Sequence, residues 1–265
     1  MTLLRSLPLL TLLLLPFTLR AQEDSVFGSR IPSEKALIGI LYDLKQTQLR
    51  EPTGMTIVGY NNLVDEFLSK GWDESVLNRY YRVTRPLYTT QIFIPLIAAA
   101  SAPKAFGVEK IVKPSFWMIH YKGQVAPPTA GTWRFWGYGE EVCSVAINSK
   151  NVLLSNWKEI TAPSVGWKSP EGPGQPAASG FIKAGDWFTL GAHEVVDLDV
   201  IIGERGGGVF CAFLLIEKKG DIYEQLDGHP ILPVFQLAPF DTTPAKSAKE
   251  GPRIVQNGPI WNGTP

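Results

Sequence analysis

The sequence predicts a mainly β protein, an antiparallel β-sandwich or barrel carrying a short helical insert near its N-terminus. Three observations lead there. Glycine and proline supply 25 and 21 of the 265 residues, so elements should be short and joined by turns. After Tyr88 helical spacing gives way to short runs in which apolar and polar residues alternate, parted by turn residues. Hydrophobic residues make up 45% of the chain and charged residues only 19%, the balance of a packed domain. With 25 Lys+Arg against 25 Asp+Glu, that balance argues against disorder, a coiled coil or a strongly basic nucleic-acid binder.

Met1 to Ala21 reads as a secretory signal: Arg5 precedes an apolar stretch from Leu7 to Phe17, and Ala21 is a plausible cleavage position. That stretch would rise only about 16 Å as a helix, roughly half of a ~30 Å hydrocarbon core, so no membrane span is expected once it is removed. Its loss takes away Arg5 and Arg20 and leaves a formal charge of −2. A secreted, periplasmic or cell-surface location is therefore expected, with no polyanionic partner.

Ala36 to Thr47 reads as an opening strand, buried at first and alternating later. A polar link through Arg50, Glu51, Pro52 and Gly54 follows, and then a helical insert over about 61–82. Asn61 or Asn62 is read as the cap of a helix that places Leu63, Val64, Phe67 and Leu68 on one face and stops at Gly71. Asp73 opens a second helix, with Val76, Leu77, Tyr80 and Tyr81 on one side. Both faces are expected to pack as lids over an edge or end of a sheet.

From Tyr88 onward, strands are expected around Tyr88–Pro95, Trp117–Gly123, Thr132–Tyr138 and Val142–Asn148. Asn148 to Lys150 should turn one hairpin, and Gly203 to Gly208 another. Ala162 to Gly180, rich in proline, glycine and serine, reads as a surface loop. Residues 221–265 are expected to form an extended or disordered arm, polar from Phe240 onward apart from Ile260 and Trp261.

Cys143 and Cys211 each fall in phase with apolar neighbours and are expected to face one core. A disulfide between them would stabilise an exported chain by up to about 4 kcal/mol on the chain-entropy model. Two buried free thiols fit the pattern equally well.

Catalytic signatures are not met. His193, Glu194 and Asp197 resemble a two-histidine zinc helix, but Asp197 stands in place of the second histidine and the surrounding run prefers a strand. Gly206 to Gly208 lack the Lys-Ser or Lys-Thr ending of a phosphate loop, and His120, within an alternating strand, reads as a hydrogen-bonded structural residue. Asn262 opens an Asn-Gly-Thr glycosylation triplet. No enzyme is expected.

Gly131 to Val152 runs through a glycine, an aromatic strand with Arg134-Phe135, the acidic pair Glu140-Glu141, a strand, an Asn-Ser-Lys turn and an apolar residue. That order resembles a PA14 domain. Ile201 to Glu217 is similar to the family's closing hairpin, and Tyr42 to Thr47 to its opening strand, so the resemblance covers Ala36 to Gly220. It implies a β-sandwich or barrel of PA14 type that recognises carbohydrate or a surface protein. In sugar-binding members two adjacent aspartates hold calcium; here Glu140 and Glu141 take those positions, and the extra methylene displaces each carboxylate by about a bond length. No cofactor is expected beyond the calcium that the resemblance leaves open; a solvated or amide-bonded turn is the other reading.

Aromatic faces offer a second route to sugar. Alternation puts Trp133 and Phe135 inside, leaving Trp136 and Tyr138 either available near Glu140 or buried in a second layer. Trp157 either joins that platform or pins the loop after it. The expected function is an exported, non-enzymatic recognition domain for carbohydrate or another cell-surface ligand. The alternative is an envelope assembly protein that docks a partner through its helical insert or C-terminal arm.

Overall fold

The computed structural model describes residues 25–239 and 250–264; the expected signal, Met1 to Ala21, lies outside them. In chain order the elements are β1 (Leu37–Thr47), α1 (Ile57–Ser69), a 3-10 turn (Glu74–Leu77), β2 (Tyr80–Arg82), β3 (Leu87–Thr89), β4 (Phe93–Ala98), α2 (Ser101–Ala105), β5 (Trp117–Ala126), β6 (Gly131–Gly139), β7 (Val142–Ile147) and β8 (Lys150–Leu154). Short strands follow: β9 (Pro176–Ala177), β10 (Gly180–Phe181), β11 (Lys183–Ala184) and β12 (Phe188–Leu190). The long strands β13 (Val196–Glu204) and β14 (Val209–Lys218) come next, and β15 (Gln225–Leu226), β16 (His229–Pro230), β17 (Leu232–Pro233), β18 (Ile254–Val255) and β19 (Asn262–Thr264) complete the chain.

Two antiparallel sheets carry the fold. The first runs β2-β1-β5-β13-β7-β8, with β3 on β1 and β19 on β5; the second runs β11-β6-β14-β4, with β12 on β6. Leu41, Ile119, Val145 and Val200 of the first sheet and Phe135, Phe210, Leu214 and Ile216 of the second share one buried cluster. Each sheet is also covered on its other face. Tyr60, Leu63, Val64, Phe67 and Leu68 of α1 cluster with Ile40, Met118, Ala146 and Ile201 of the first sheet. Ala177, Ile182, Leu232 and Val234 cluster with Trp136, Tyr138, Phe213 and Leu215 of the second. Double coverage explains why Phe210 to Ile216 is a continuous apolar run rather than an alternation. Each side chain fully buried this way stabilises the fold by roughly 1.5–3 kcal/mol.

The helical insert differs from its expected form. The α1 cap is Thr56, whose hydroxyl accepts from the Gly59 N–H at 3.0 Å, and Asn61 and Asn62 lie inside the helix. Its stop is the expected one: Gly71 has φ +68°, its N–H donates to Leu68 O, and the Trp72 N–H donates to Phe67 O at 3.0 Å. Asp73 does cap the next element, accepting from Ser75 N–H at 2.9 Å, but that element is a single turn. Tyr80 and Tyr81 instead begin β2 against β1. The helix packs on the outer face of the first sheet around Ile40, Met118, Ala146 and Ile201, while Lys122, Gln124 and Asp197 farther along that face stay exposed.

His120 on β5 is the polar anchor of that lid. It is buried, its Nε2 lies 2.7 Å from Asp199 Oδ1 on β13, and its Nδ1 lies 3.4 Å from Glu74 Oε1. Burial opposes its charge, but the two carboxylates hold its pKa above the ordinary value. His120, with Lys122 2.5 Å away, in turn lowers Glu74 to about 2. A carboxyl lowered in this way stabilises the fold above its unfolded pKa near 4.5, and the contribution fades as pH falls toward 2. Glu74→Gln is therefore expected to lower the melting temperature at pH 6 and to change it little at pH 2. Equal losses in melts at both values would reject this coupling.

Three further expectations are corrected. Gly203 to Gly208 do not turn a hairpin, because β13 and β14 belong to different sheets and the segment crosses between them. Cys143 and Cys211 are buried free thiols, one of the two expected readings, but they do not face one core: Cys143 faces the inter-sheet core and Cys211 the outer side of the second sheet. Burial pushes each thiol up to about 12, so both are inert apolar fillers. The tail is not an arm where it is described. Trp261 is fully buried against Trp133 and Phe235, β18 pairs with β17, and β19 pairs with β5. The surface loop of 162–180 also reaches inward at its ends, where Ala162, Gln175 and Ala177 are buried. The expected hairpin at Asn148 and Ser149 does form, with φ +49° and +63°.

Candidate functional site

Two crossovers between the sheets meet at one end of the sandwich. Glu140-Glu141 link β6 to β7, and Arg205 to Gly208 link β13 to β14. The Glu140 N–H donates to Cys211 O at 3.0 Å, which ties the first crossover to β14. Arg205 is buried, with its Nε 3.1 Å from Glu141 Oε2 and its Nη2 3.0 Å from Glu159 Oε2. Its Nη1 donates to Asn61 Oδ1 on α1 at 3.5 Å. Glu204, fully buried, accepts at Oε1 from the Gly206 N–H at 2.9 Å and from the Gly207 N–H. Tyr60 of α1 closes the end so tightly that a Cβ at Gly203 would strike its hydroxyl.

These carboxyls titrate far from their usual range. Burial pushes Glu141 up to about 7, partly offset by Arg205, and burial likewise pushes Glu204 up to about 7. Glu140, half-buried, is raised for the same reason. The pair does not fit the calcium that the sequence resemblance left open. Calcium needs 6 to 8 oxygens at about 2.3–2.6 Å. Here the Arg205 guanidinium already occupies the cationic position beside Glu141, and among the described residues no three His, Cys, Asp or Glu side chains are grouped to hold a metal ion. Chemically the end is a buried arginine that bridges the buried Glu141 and the exposed Glu159.

The aromatic candidates separate. Trp133 and Phe135 lie inside, as alternation predicts, but Trp136 and Tyr138 are buried as well, on the outer face of the second sheet. The Trp136 Nε1–H donates to Glu217 Oε2 at 2.6 Å, and Tyr138 Oη lies 3.1 Å from Ser179 Oγ under the 176–181 hairpin. They form the second buried layer. Trp157 has a different setting. Its N–H donates to Glu141 O at 2.8 Å, placing it directly beside the crossover, and its half-buried ring lines a cleft of ≈ 520 Å³.

That cleft brings together residues that sequence reasoning missed. Trp167, half-buried, lines it and is fixed by a 2.9 Å hydrogen bond from its Nε1–H to Asp186 Oδ2. Asn156 and Lys183 contribute polar groups, and Lys183 Nζ donates to Asn156 O at 2.8 Å. Asn156 is itself oriented by two donors to its Oδ1, the Cys143 N–H at 3.2 Å and the Ser144 hydroxyl at 2.9 Å. A signal was available for Trp167, a lone tryptophan in a loop otherwise rich in proline, glycine and serine; in the fold it also packs against the core clusters on both faces of the first sheet. The volume falls within the ~300–1,000 Å³ of small-ligand sites.

The histidines stay apart from this cleft. His193 sits in the turn before β13 and Asp197 within that strand, so the zinc-helix pattern is not formed. His120 lies beneath α1, and His229 in the short β15-β16 hairpin.

No family model and no curated protein matches the chain. Solved structures similar to it include the PA14 domain of an antifreeze protein, at 15% identity over 76% of this chain and 89% of that one, with a TM-score of 0.41. The PA14 sugar-binding domain of an RTX adhesin is 10% identical over 82% of this chain and 98% of that one, TM-score 0.44. The epithelial adhesin 6 A domain of Candida glabrata, in complex with Galβ1-3GlcNAc, is 12% identical over 86% and 96%, TM-score 0.40. Among the described residues no helix is long and apolar enough to cross a membrane.

Proposed function

We propose that the chain is a non-enzymatic recognition domain that binds carbohydrate in the cleft between Trp157 and Trp167, and that Met1 to Ala21 directs its export. The observation that carries the reading is the pairing of two half-buried tryptophans with amide, hydroxyl and ammonium groups in one open cleft. Sugar rings present apolar CH faces and polar edges. Tryptophan faces cover the former, and Asn156, Ser169 and the lysines meet the latter. Of the other candidates, Glu140 and Glu141 form the crossover beside which Trp157 stands, whereas Trp136 and Tyr138 lie outside the cleft in the buried layer of the second sheet.

Docking of a protein partner through the helical insert or the tail loses its two supports. The apolar face of α1 is turned onto the first sheet, and Trp261 is enclosed in the core. A glycan array probed with the full chain, with calcium and with a chelator, tests the proposal. Binding is expected to survive chelation, because the Arg205 guanidinium already lies 3.1 Å from Glu141. Trp157→Ala and Trp167→Ala should each weaken it about tenfold, the equivalent of ~1.4 kcal/mol. Silence across the array together with no thermal shift would end the carbohydrate reading.

A further inference from the structure

We propose that the saccharide held by this cleft is an acidic one, a sugar ring bearing a carboxylate or sulfate oxyanion that seats against Lys158, Lys168 and Lys183. The inference rests on the carbohydrate reading and specifies its ligand class. Every charged side chain lining the cleft is a lysine, and no carboxylate lines it. The acidic groups nearby are already engaged elsewhere. Glu159 pairs with Arg205 at 3.0 Å, Asp186 accepts from the Trp167 indole at 2.9 Å, and Glu171 pairs with Arg134. Among the described residues none of the three lysines forms an ion pair, which leaves an uncompensated positive wall around an otherwise neutral cavity.

The wall is built rather than incidental. Lys183 is only partly exposed, and burial without an opposing charge pulls its ammonium below the ordinary lysine value. Asn156 O takes one of its three ammonium hydrogens, at 2.8 Å, and so aims the group. An oxyanion in the cleft would restore the charge balance that desolvation has removed. Lys158 Nζ lies over the Trp157 ring, 5.8 Å from its centre, so one positive charge stands beside the aromatic platform. Beside it the Asn156 Nδ2 amide is buried with no acceptor, and its orientation is fixed because a backbone N–H donates to Oδ1. Two tryptophans define a ring-shaped ligand, and three lysines define its charge.

The full chain should be titrated calorimetrically with an oligogalacturonate and its methyl ester, which keeps the rings but removes the charge. A sulfated oligosaccharide and its desulfated parent form the second arm. In at least one arm the charged member is expected to bind tenfold or more tightly than its neutral counterpart in dilute buffer. The ratio should shrink toward one at about 1 M salt, where the screening length falls to ~3 Å. Lys183→Gln, and the exposed Lys168→Gln as a substitution that cannot disturb packing, should each reduce the charged-to-neutral ratio. The arm that responds tells carboxylate from sulfate. Equal affinity for charged and neutral members, lost in both on Trp157→Ala, would overturn the acidic ligand and leave carbohydrate recognition standing. No binding by any of the four would overturn the acidic ligand, and the glycan array then decides the carbohydrate reading by itself.

Discussion

Replacing Trp261 by alanine is expected to destabilise the protein by about 3–5 kcal/mol, the cost of removing a large aromatic from a packed core. Its ring is fully buried, with centroids 5.2 Å from Trp133 and 5.4 Å from Phe235, both nearly edge-on. The segment that carries it also supplies β19, which lies along Gln124–Ala126 of β5, just beyond the residues that β1 occupies. At ~2–4 °C per kcal/mol for a domain of this size, the melting temperature should fall by roughly 10 °C. Trp261→Phe separates packing from polarity. The indole Nε1–H has no acceptor, so phenylalanine removes an unsatisfied donor while keeping most of the apolar surface, and its loss should be far smaller. If alanine leaves the denaturation midpoint unchanged, the segment is not part of the core.

Arg205→Met should be comparably damaging, and only where the carboxyls are ionised. Removing one partner of a buried ion pair costs about 3–5 kcal/mol, because the remaining charge is stranded. Arg205 holds down the pKa of Glu141, so its loss drives that group further above about 7. A carboxyl whose folded pKa exceeds its unfolded value favours the fold most below the unfolded pKa, and the advantage disappears as pH rises through the folded value. Glu141 and Glu204 therefore make the parent protein more stable near pH 5 than near pH 8.5. The methionine variant should steepen that decline, being mildly affected at pH 5 and severely at pH 8.5. Urea melts at the two values decide the matter, and an equal loss at both would mean that Arg205 acts through packing alone.

Much of this architecture was legible because alternation and turn chemistry are local. β1, β5, β6 and β7 fall where periodicity put them, Asp73 caps its turn, and Gly71 ends α1. What failed was pairing. A glycine-rich turn between two apolar strands reads the same whether those strands share a sheet or face each other across a core, so the 203–208 crossover passed for a hairpin. Asn61 or Asn62 reads as the cap because the apolar face is counted from Leu63, whereas the backbone turns helical earlier, at Ile57 after the Thr56 cap. Trp261 was taken for an exposed anchor because nothing within its own segment reveals Trp133 as a neighbour. At the site, Trp157 is legible as an aromatic that joins a platform or pins the loop after it. Lys183 lies on β11 and Trp167 in the loop before it, and their convergence with Trp157 leaves no mark in any short window.

The lodging of Trp261 and β19 in the sandwich has a bearing on how the protein is made. Their partners on β5 and β6 are synthesised about half a chain earlier, and those strands must wait, with an unfilled interior, until the closing segment emerges. Closing the sandwich therefore depends on contacts between residues far apart in sequence, the kind of pairing that forms slowly because a long loop must be closed before the contact is made.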